Sequence, residues 1–286
     1  MSDHNAITMR QQAGLMSILN CIRNADLDRY LSRCRTVVPA LDVPEAKCLA
    51  LAAIRYYRGN KEARAELSIE QKLEQYWYGS LEAGKADYSV YDSNVFISEL
   101  WACWVVYSRG YLRSLRCTNR LGNGISVVER VGKLRKIADL GCGVGYTTAA
   151  LKELWPEATV YGTNLPGTTQ YRIAKMLGQE YCFNVEPCVS TPVDLVFASE
   201  YFEHFERPVE HLRAILDVGQ PRYLVVANSF GSRSIGHFNT YLDGNTKISN
   251  KAIGRRFNCY LKSRGYQQIS TRFWNNRPAL YERSQQ

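Results

Sequence analysis

Three glycines that alternate with other residues directly after a short apolar run constrain the fold of this chain more than any other feature. The run covers residues 136–140, and Gly141, Gly143 and Gly145 follow it before a helical pattern begins. Glycines at such a junction allow a tight turn and let a ligand approach the backbone, while the next helix offers free N–H groups at its N-terminus. The segment therefore predicts a ligand-binding strand–loop–helix unit.

From this unit onward, apolar runs alternate with helical patterns. The runs cover residues 136–140, 159–163, 193–198 and 223–227. Helices are predicted around residue 151 and near residues 172–177 and 208–216. Such alternation predicts a parallel sheet covered by helices on both faces. A capped helix near residues 249–263 precedes two last strands, near 266–274 and 279–282, which a short connection joins into a terminal hairpin.

The chain before about residue 135 shows helical periodicity instead. Residues 61–78 predict one amphipathic helix, which residues 79–87 interrupt. Asp92 or Ser93 is placed to cap a longer helix that ends near residue 117, because either side chain can accept from free N–H groups of a first turn. The predicted organisation is a mainly helical N-terminal region, residues 1–124, followed by an α/β domain, residues 125–286.

The charge balance is mildly basic, with 36 Lys and Arg against 27 Asp and Glu and a formal net charge of +9. Four basic side chains fall on one side of the longer predicted helix: Arg109, Arg113, Arg116 and Arg120. A solvated helix face is the ordinary interpretation of such a row. Contact with the phosphates of a nucleic acid is the alternative.

The cysteine pattern and the hydropathy point to an intracellular chain without a structural metal. The nine cysteines are an odd number in a chain too long for a disulfide scaffold, and the four histidines do not fall beside them at zinc-ligand spacing. The longest apolar stretches are far shorter than the roughly 20 residues that span a bilayer, and no signal-peptide pattern opens the sequence. We expect no metal, no membrane partner and a cytoplasmic location.

The glycine segment, Asp139-x-Gly141-x-Gly143-x-Gly145, resembles the first motif of the class I S-adenosylmethionine-dependent methyltransferases. Its third glycine comes one residue earlier than in the dinucleotide-binding fingerprint G-x-G-x-x-G, and this spacing argues against NAD as the bound cofactor. The segment ending at Asn164, the run 194–199 and the acidic and histidine residues of 200–204 also resemble the family. The resemblance covers about residues 125–283. It implies an α/β fold with a seven-stranded, mostly parallel Rossmann-like sheet and an antiparallel C-terminal hairpin.

The same resemblance implies S-adenosylmethionine as the cofactor. Asp139 would organise its methionine end, and the backbone from Gly141 to Gly145 would lie against its sugar and amino-acid groups. The predicted cofactor-binding residues are Asp139, Gly141, Cys142, Gly143, Gly145, Asn164, Leu165, Ser199 and Glu200. Asn164 departs from the family, which has Asp or Glu there to accept from both ribose hydroxyls, whereas Asn has one acceptor oxygen. Ser190 and Thr191 are candidates for the position where the family has an acid near the adenine.

Methyl transfer is an in-line displacement that needs a desolvated and aligned nucleophile, and it needs a base only where the acceptor carries a proton. Glu200, His204 and His237 follow the predicted fourth and fifth strands, at the sheet edge where open α/β sheets bind ligands. We predict these residues to be catalytic, with either histidine as the base. For His204, a structural histidine bonded to backbone is the competing interpretation.

The acceptor is constrained mainly by motifs that the sequence lacks. Enzymes of this fold that methylate amino groups of nucleic acids carry [DNS]-P-P-[YFW] after the fourth strand, where this chain has Ser199-Glu-Tyr-Phe. The predicted function is transfer of a methyl group to an oxygen or nitrogen atom of a small molecule, with the helical region as lid and recognition surface. Two alternatives remain: action on nucleic acid or a modified nucleotide, bound through the basic helix, and a catalytically inactive binding or regulatory protein.

Overall fold

The computed structural model describes residues 24–57, 68–93, 97–98, 101–118, 121, 123–271 and 278–284. Its strands are β1 (Lys136–Leu140), β2 (Thr159–Thr163), β3 (Asn184–Glu186), β4 (Leu195–Ser199), β5 (Tyr223–Ala227), β6 (Tyr241–Asp243), β7 (Thr246–Ile248), β8 (Tyr266–Ile269) and β9 (Ala279–Arg283). Its α-helices are α1 (Asn24–Val37), α2 (Val43–Tyr57), α3 (Ser68–Glu82), α4 (Trp101–Leu115), α5 (Val127–Val131), α6 (Tyr146–Leu154), α7 (Thr169–Tyr181), α8 (Pro208–Gly219) and α9 (Asn250–Ser263).

The central sheet has seven strands in the order β3-β2-β1-β4-β5-β9-β8. The first five pair in parallel, and β9 is antiparallel to both β5 and β8. Residues 195–198 and 223–227 are buried, as expected for central strands covered on both faces. The predicted seven-stranded, mostly parallel sheet with an antiparallel end and a preceding helical region is confirmed. The strand predicted over residues 266–274 is observed as β8, which ends at Ile269, and residues 272–277, which include most of the predicted connection over 275–278, lie outside the described part of the chain.

The N-terminal helices pack directly on the α/β domain. Trp101 and Leu115 of α4 share an apolar cluster with Leu151 of α6 and Ile173 of α7. Trp77 of α3 belongs to a second cluster, which includes buried residues of β4, β5 and α9. Among the described residues, the N-terminal helices and the α/β domain therefore contribute to the same two apolar clusters. The predicted domain boundary near residue 124 stays a prediction.

The predicted break of the first amphipathic helix at residue 79 is wrong. Helix α3 runs through Gly79 to Glu82, and Leu81 packs against the apolar cluster around Trp77. The chain turns only at Gly84, whose φ of +81° suits glycine. Residues 61–67 of that predicted helix lie outside the described residues.

The longer predicted helix also differs from the structure. Helix α4 begins at Trp101, and Asp92 and Ser93 instead end a short 3₁₀ helix over Tyr88–Asp92. The Asp92 carboxylate accepts a 2.6 Å hydrogen bond from the backbone N–H of Thr169, so it satisfies a free donor at the start of α7 rather than of α4. Residues 94–96, 99–100 and Arg120 lie outside the described residues.

Candidate functional site

The glycine loop joins β1 to α6 in a left-handed backbone conformation. Gly141, Gly143 and Gly145 have φ values of +62°, +56° and +100°, and Gly145 is the residue that precedes the first turn of α6. The N–H of Gly141 donates to the side-chain hydroxyl of Thr163, at the end of β2. Side chains rarely adopt such φ values, so the spacing of these glycines reflects a conformational requirement of the loop.

Two neighbours pack closely on this loop. A Cβ atom added to Gly141 would lie 2.5 Å from the ring of Tyr201, which follows β4. The side chain of Cys142 lies against Gly162 of β2, where an added Cβ would meet its Cβ and Sγ atoms at 2.5 Å. Cys142 is therefore buried with its thiol toward the sheet, so what it can offer a ligand is its backbone.

Asp139 lies at the end of β1 and is 2% exposed. The hydroxyl of Thr148 donates to its Oδ2 atom over 2.7 Å. Burial raises the pKa of this carboxyl from 3.8 to about 7. A buried carboxyl of this kind is stabilised in its charged form by a nearby cation, such as the ammonium group of an amino acid.

Asn164 follows β2 and ties the glycine loop to this strand. Its Nδ2 atom donates to the carbonyl of Gly143 over 2.8 Å, and its Oδ1 atom accepts from the N–H of Leu165 over 2.8 Å. Leu165 is an apolar side chain that is 57% exposed. The amide thus has a role in the loop that a carboxylate, which has no N–H donor, would not fill.

The two substitutes predicted for the adenine-contacting acid lie in different places. The hydroxyl of Thr191 accepts from the Lys136 ammonium, at the amino end of β1. The hydroxyl of Ser190 instead donates over 3.4 Å to the carboxylate of Glu186, the last residue of β3, whose carbonyl accepts from the N–H of Asn164. Thr191 is therefore at the opposite edge of the sheet from the glycine loop, while a role for Ser190 stays a prediction.

The segment after β4 is held in a sharp turn. Glu200 has a φ of +50°, an uncommon value for a residue with a side chain, and its N–H donates to the carbonyl of Ala227 at the end of β5 over 2.7 Å. Ser199, the residue before it, bonds through its hydroxyl to that of Tyr111 on α4. The helical region therefore contacts the end of β4 directly.

A second acidic side chain, Glu203, lies one short turn after Glu200. It is fully buried, and its Oε1 atom accepts from the N–H of Ser229, which follows β5. Its Oε2 atom is buried without a hydrogen-bond partner in the described part of the chain. Burial and the neighbouring charge of Glu200 raise the pKa of Glu203 well above its usual value.

Two histidines complete this cluster. Nδ1 of His204 lies 2.7 Å from the hydroxyl of Tyr91, and Nδ1 of His237 lies 2.9 Å from the carbonyl of Ser232. The two imidazole rings are 4.8 Å apart between centroids. Burial lowers the pKa of His204 to about 3 and also lowers that of His237, so both imidazoles are neutral at physiological pH.

The structure brings together the three residues that the sequence predicts to be catalytic. Side-chain ligand atoms of Glu200, Glu203 and His237 lie within 4.8 Å of one another, with His204 adjoining. The sequence places Glu203 with Glu200 and His204 just beyond the fourth strand, but Glu203 is not among the residues predicted to be catalytic or cofactor-binding. A signal for it is the three-residue spacing from Glu200, because a single 3₁₀ turn, observed here over Phe202–His204, can bring two such side chains to one side.

Comparisons with known proteins relate part of this chain to methyltransferases. Residues 138–226 match a family model described as a methyltransferase domain. A trans-aconitate 2-methyltransferase of Rhodopseudomonas palustris strain BisB5 is 32% identical over 85 residues, which are 29% of this chain and 33% of that protein. The corresponding protein of strain HaA2 is 31% identical over 84 residues, 28% of this chain and 33% of that protein. The match spans about a third of the length of these curated relatives.

Solved structures of low identity are also similar. The S-adenosylmethionine-dependent methyltransferase SibL in its apo form is 13% identical, with a TM-score of 0.43, over 83% of this chain and 74% of that one. The plantazolicin methyltransferase BpumL, solved with SAH, is 17% identical, with a TM-score of 0.36, over 58% of this chain and 61% of that one.

Among the described residues, no helix combines the length and the apolar character that crossing a bilayer requires. The left-handed glycine loop, the buried Asp139 and the exposed Leu165 fit S-adenosylmethionine, which carries an ammonium group, a sugar and an adenine ring. Residues 138–226 of this chain match the methyltransferase-domain family, and the sheet that contains them has the seven-stranded, mostly parallel arrangement predicted for the class I S-adenosylmethionine-dependent methyltransferases, whose cofactor is S-adenosylmethionine.

Proposed function

We propose that this chain is an active methyltransferase that transfers a methyl group from S-adenosylmethionine to an oxygen or nitrogen atom of a small molecule. One observation carries the proposal. The glycine loop with Asp139, after β1, and the polar cluster of Glu200, His204 and His237, after β4 and β5, meet at the carboxyl edge of one sheet. Open α/β sheets bind their ligands at this edge.

In this proposal, each residue around the loop binds a different part of the cofactor. The carboxylate of Asp139 holds the ammonium group, and the backbone of Gly141, Cys142, Gly143 and Gly145 lies against the amino-acid and sugar groups. Asn164 keeps the loop in place and presents the second lone pair of its Oδ1 atom to a ribose hydroxyl. Leu165 covers the adenine ring, while Ser199 and Glu200 border the methionine end. The cofactor supplies an electrophilic methyl group on a sulfonium sulfur.

The acceptor side is formed by the cluster after β4 and β5. With its Nδ1–H donated to the Ser232 carbonyl, His237 keeps Nε2 unprotonated and able to receive a proton from an acceptor. His204 is less suited to be a base, because its Nδ1 atom accepts from Tyr91 and burial holds its pKa near 3. We assign His204 a positioning role, and Glu200, which is exposed, a place at the mouth of the site.

A small-molecule acceptor is supported by the names of the relatives, which give trans-aconitate as the compound methylated by those proteins. The nucleic-acid alternative rests on the arginine row of α4. Within that row, Arg116 is engaged inside the molecule, since its guanidinium lies 3.5 Å from the carboxylate of Glu153 and also donates to the Glu153 carbonyl. This engagement reduces the charge available for phosphates.

The first test is calorimetric titration of the purified chain with S-adenosylmethionine and with S-adenosylhomocysteine. We expect dissociation constants near 1 μM, about 8 kcal/mol of binding free energy. Gly143→Val should abolish binding in a folded protein, because a branched side chain would occupy the space of the ligand and strain the loop, whereas Gly124→Val should bind normally. Transfer of labelled methyl to a panel of small hydroxy and amino compounds then tests turnover. Cofactor binding without transfer to any acceptor class would favour the inactive, regulatory alternative.

A further inference from the structure

We propose that Glu200, Glu203 and His237 form a binding site for a divalent metal cation, with Mn²⁺ as the ion that suits the donor set best. The sequence predicts no metal, because its cysteines and histidines do not cluster. The folded chain instead gathers two carboxylates and one imidazole, whose ligand atoms lie within 4.8 Å of one another. Binding of the cation can be tested independently of the proposed function.

The unpartnered oxygen of Glu203 is the observation that points to a ligand. Buried polar atoms are almost always hydrogen-bonded, and a buried carboxylate is costly unless it is paired or coordinates a metal. Glu203 is fully buried, yet its Oε2 atom has no hydrogen-bond partner among the described residues, and the second carboxylate, Glu200, lies beside it. A divalent cation between the two carboxyl groups would satisfy this oxygen and bring a positive charge to a buried acidic pair.

The surrounding groups already hold the three side chains in place. The Ser232 carbonyl accepts from Nδ1 of His237, which directs the unprotonated Nε2 atom to the other side of the ring. The N–H of Ser229 fixes the other oxygen of Glu203, and the hydroxyl of Tyr241 donates to the Glu203 carbonyl over 3.1 Å. Supporting hydrogen bonds that orient the ligands are typical of metal sites in proteins.

The donor set and its exposure indicate the class of ion and its purpose. Carboxylate oxygens suit Mg²⁺, Ca²⁺ and Mn²⁺, while an imidazole nitrogen shifts the preference toward transition metals, and Mn²⁺ meets both conditions. Because Glu200 is exposed while Glu203 and His237 are buried, water or a substrate oxygen can complete the coordination from the side of Glu200. Three protein ligands with open positions are the arrangement of catalytic rather than structural metals.

The consequence for the reaction rests on the proposed function. With a cation bound, Nε2 of His237 is a ligand instead of the base. The cation lowers the pKa of a coordinated hydroxyl group, so the acceptor would lose its proton to water and attack as an oxyanion. The oxygen then forms a bond to the methyl carbon, while the carbon–sulfur bond breaks and its electron pair stays on sulfur. The site thus favours an oxygen acceptor over a nitrogen acceptor.

The test is titration of the chelator-treated full chain with MnCl₂, followed by calorimetry and by electron paramagnetic resonance. We expect one Mn²⁺ per chain, with binding weakened at least tenfold by Glu203→Gln and by Glu200→Gln. Glu203→Gln keeps the shape of the side chain and the acceptor for Ser229, so it should fold, as circular dichroism checks. Glu206→Gln, which removes an exposed acid of the same loop, should bind Mn²⁺ like the parent protein.

Lack of Mn²⁺ binding by the parent protein at about 1 mM, or unchanged binding by folded Glu203→Gln, would overturn the proposal. The same preparations are titrated with S-adenosylmethionine. A chain that binds Mn²⁺ but not S-adenosylmethionine would contradict the proposed function and leave the metal site standing. A chain that binds the cofactor and transfers methyl groups equally well with and without Mn²⁺ would refute a catalytic role for the cation.

Discussion

The hydroxyl of Tyr91 lies 2.7 Å from Nδ1 of His204, and this contact joins the N-terminal helical region to the polar cluster after β4. Burial raises the pKa of Tyr91, so its hydroxyl stays protonated and donates to the imidazole. Nδ1 of His204 is therefore the acceptor, which places the imidazole proton on Nε2. The side chain of one region thus sets the tautomer of a histidine in the other.

We expect Tyr91→Phe to lower the free energy of unfolding by about 1 kcal/mol, because a buried imidazole nitrogen loses its donor. Methyl transfer should fall with it, through kcat more than through the cofactor dissociation constant, since His204 lies on the acceptor side. Urea unfolding and steady-state kinetics measure the two effects. Tyr76→Phe removes a hydroxyl from a side chain that is 53% exposed and serves as the control. Equal losses in both variants would refute a specific role for Tyr91.

The buried carboxyl of Asp139 makes the stability of the protein depend on pH. Its pKa rises from 3.8 unfolded to about 7 folded, so its contribution to stability is present below pH 4 and is lost as the pH rises through 7. Asp139→Asn carries no such charge. The variant should therefore gain stability relative to the parent protein between pH 4 and pH 8, by an upper bound of about 4 kcal/mol.

Urea unfolding of both proteins without cofactor at several pH values measures this difference. If the difference in free energy of unfolding between the two proteins does not change between pH 4 and pH 8, Asp139 is charged in the folded state over this whole range. The substitution should have the opposite effect on cofactor affinity. Asp139→Asn loses the charge that holds the ammonium group, so it should bind S-adenosylmethionine more weakly than the parent protein at pH 8.

Asn164→Asp restores the residue type usual in the family, yet the structure predicts that it weakens the site. The Nδ2 donor to the Gly143 carbonyl is lost, and a carboxylate oxygen faces that carbonyl instead. We expect a loss of about 1–2 kcal/mol of stability and weaker binding of S-adenosylmethionine. Thermal unfolding and calorimetry check the prediction. Tighter binding would show that contact with the ribose outweighs the bond to the loop.

Two glycine substitutions separate backbone strain from steric contact. Gly141 and Gly167 both have positive φ, +62° and +86°, but an added Cβ meets the Tyr201 ring only at Gly141 and open space at Gly167. Gly167→Ala should cost about 1 kcal/mol for its conformation alone. Gly141→Ala should cost more and should reduce cofactor affinity as the ring is displaced. Equal costs by urea unfolding would mean that Tyr201 moves aside freely.

Much of the α/β domain could be predicted from the sequence, because its strands are buried on both faces. β1, β2 and β5 begin and end at the predicted residues, since each is a short run of apolar residues bounded by polar or turn residues. The hairpin of β6 and β7 was not predicted, although Gly244 and Asn245 at its turn are a recognised signal. Its strands are three residues each, too short to show alternation.

The parts that could not be predicted depend on contacts between distant segments. The bond of Asp92 to Thr169 joins residues 77 positions apart, so local capping rules assigned Asp92 to the wrong helix. The burial of Glu203 depends on Ser229, Tyr241 and the helices around them, and sequence spacing alone does not distinguish a buried glutamate from an exposed one. The site residues after β4 were located by position in the fold, whereas their partners required the folded structure.

Gly236, next to His237, has no room for a side chain, because an added Cβ would lie 1.5 Å from the hydroxyl oxygen of Tyr91. The side chain of Tyr91, from the helical region, therefore lies directly against the backbone of the loop after β5. Under the proposed function, we expect an acceptor to enter from the other side, where Glu200 and Leu165 are exposed. Substitutions that change the acceptor specificity of the proposed methyltransferase should therefore occur around Glu200 and Leu165, while Tyr91 and Gly236, which pack against the histidines, stay constant.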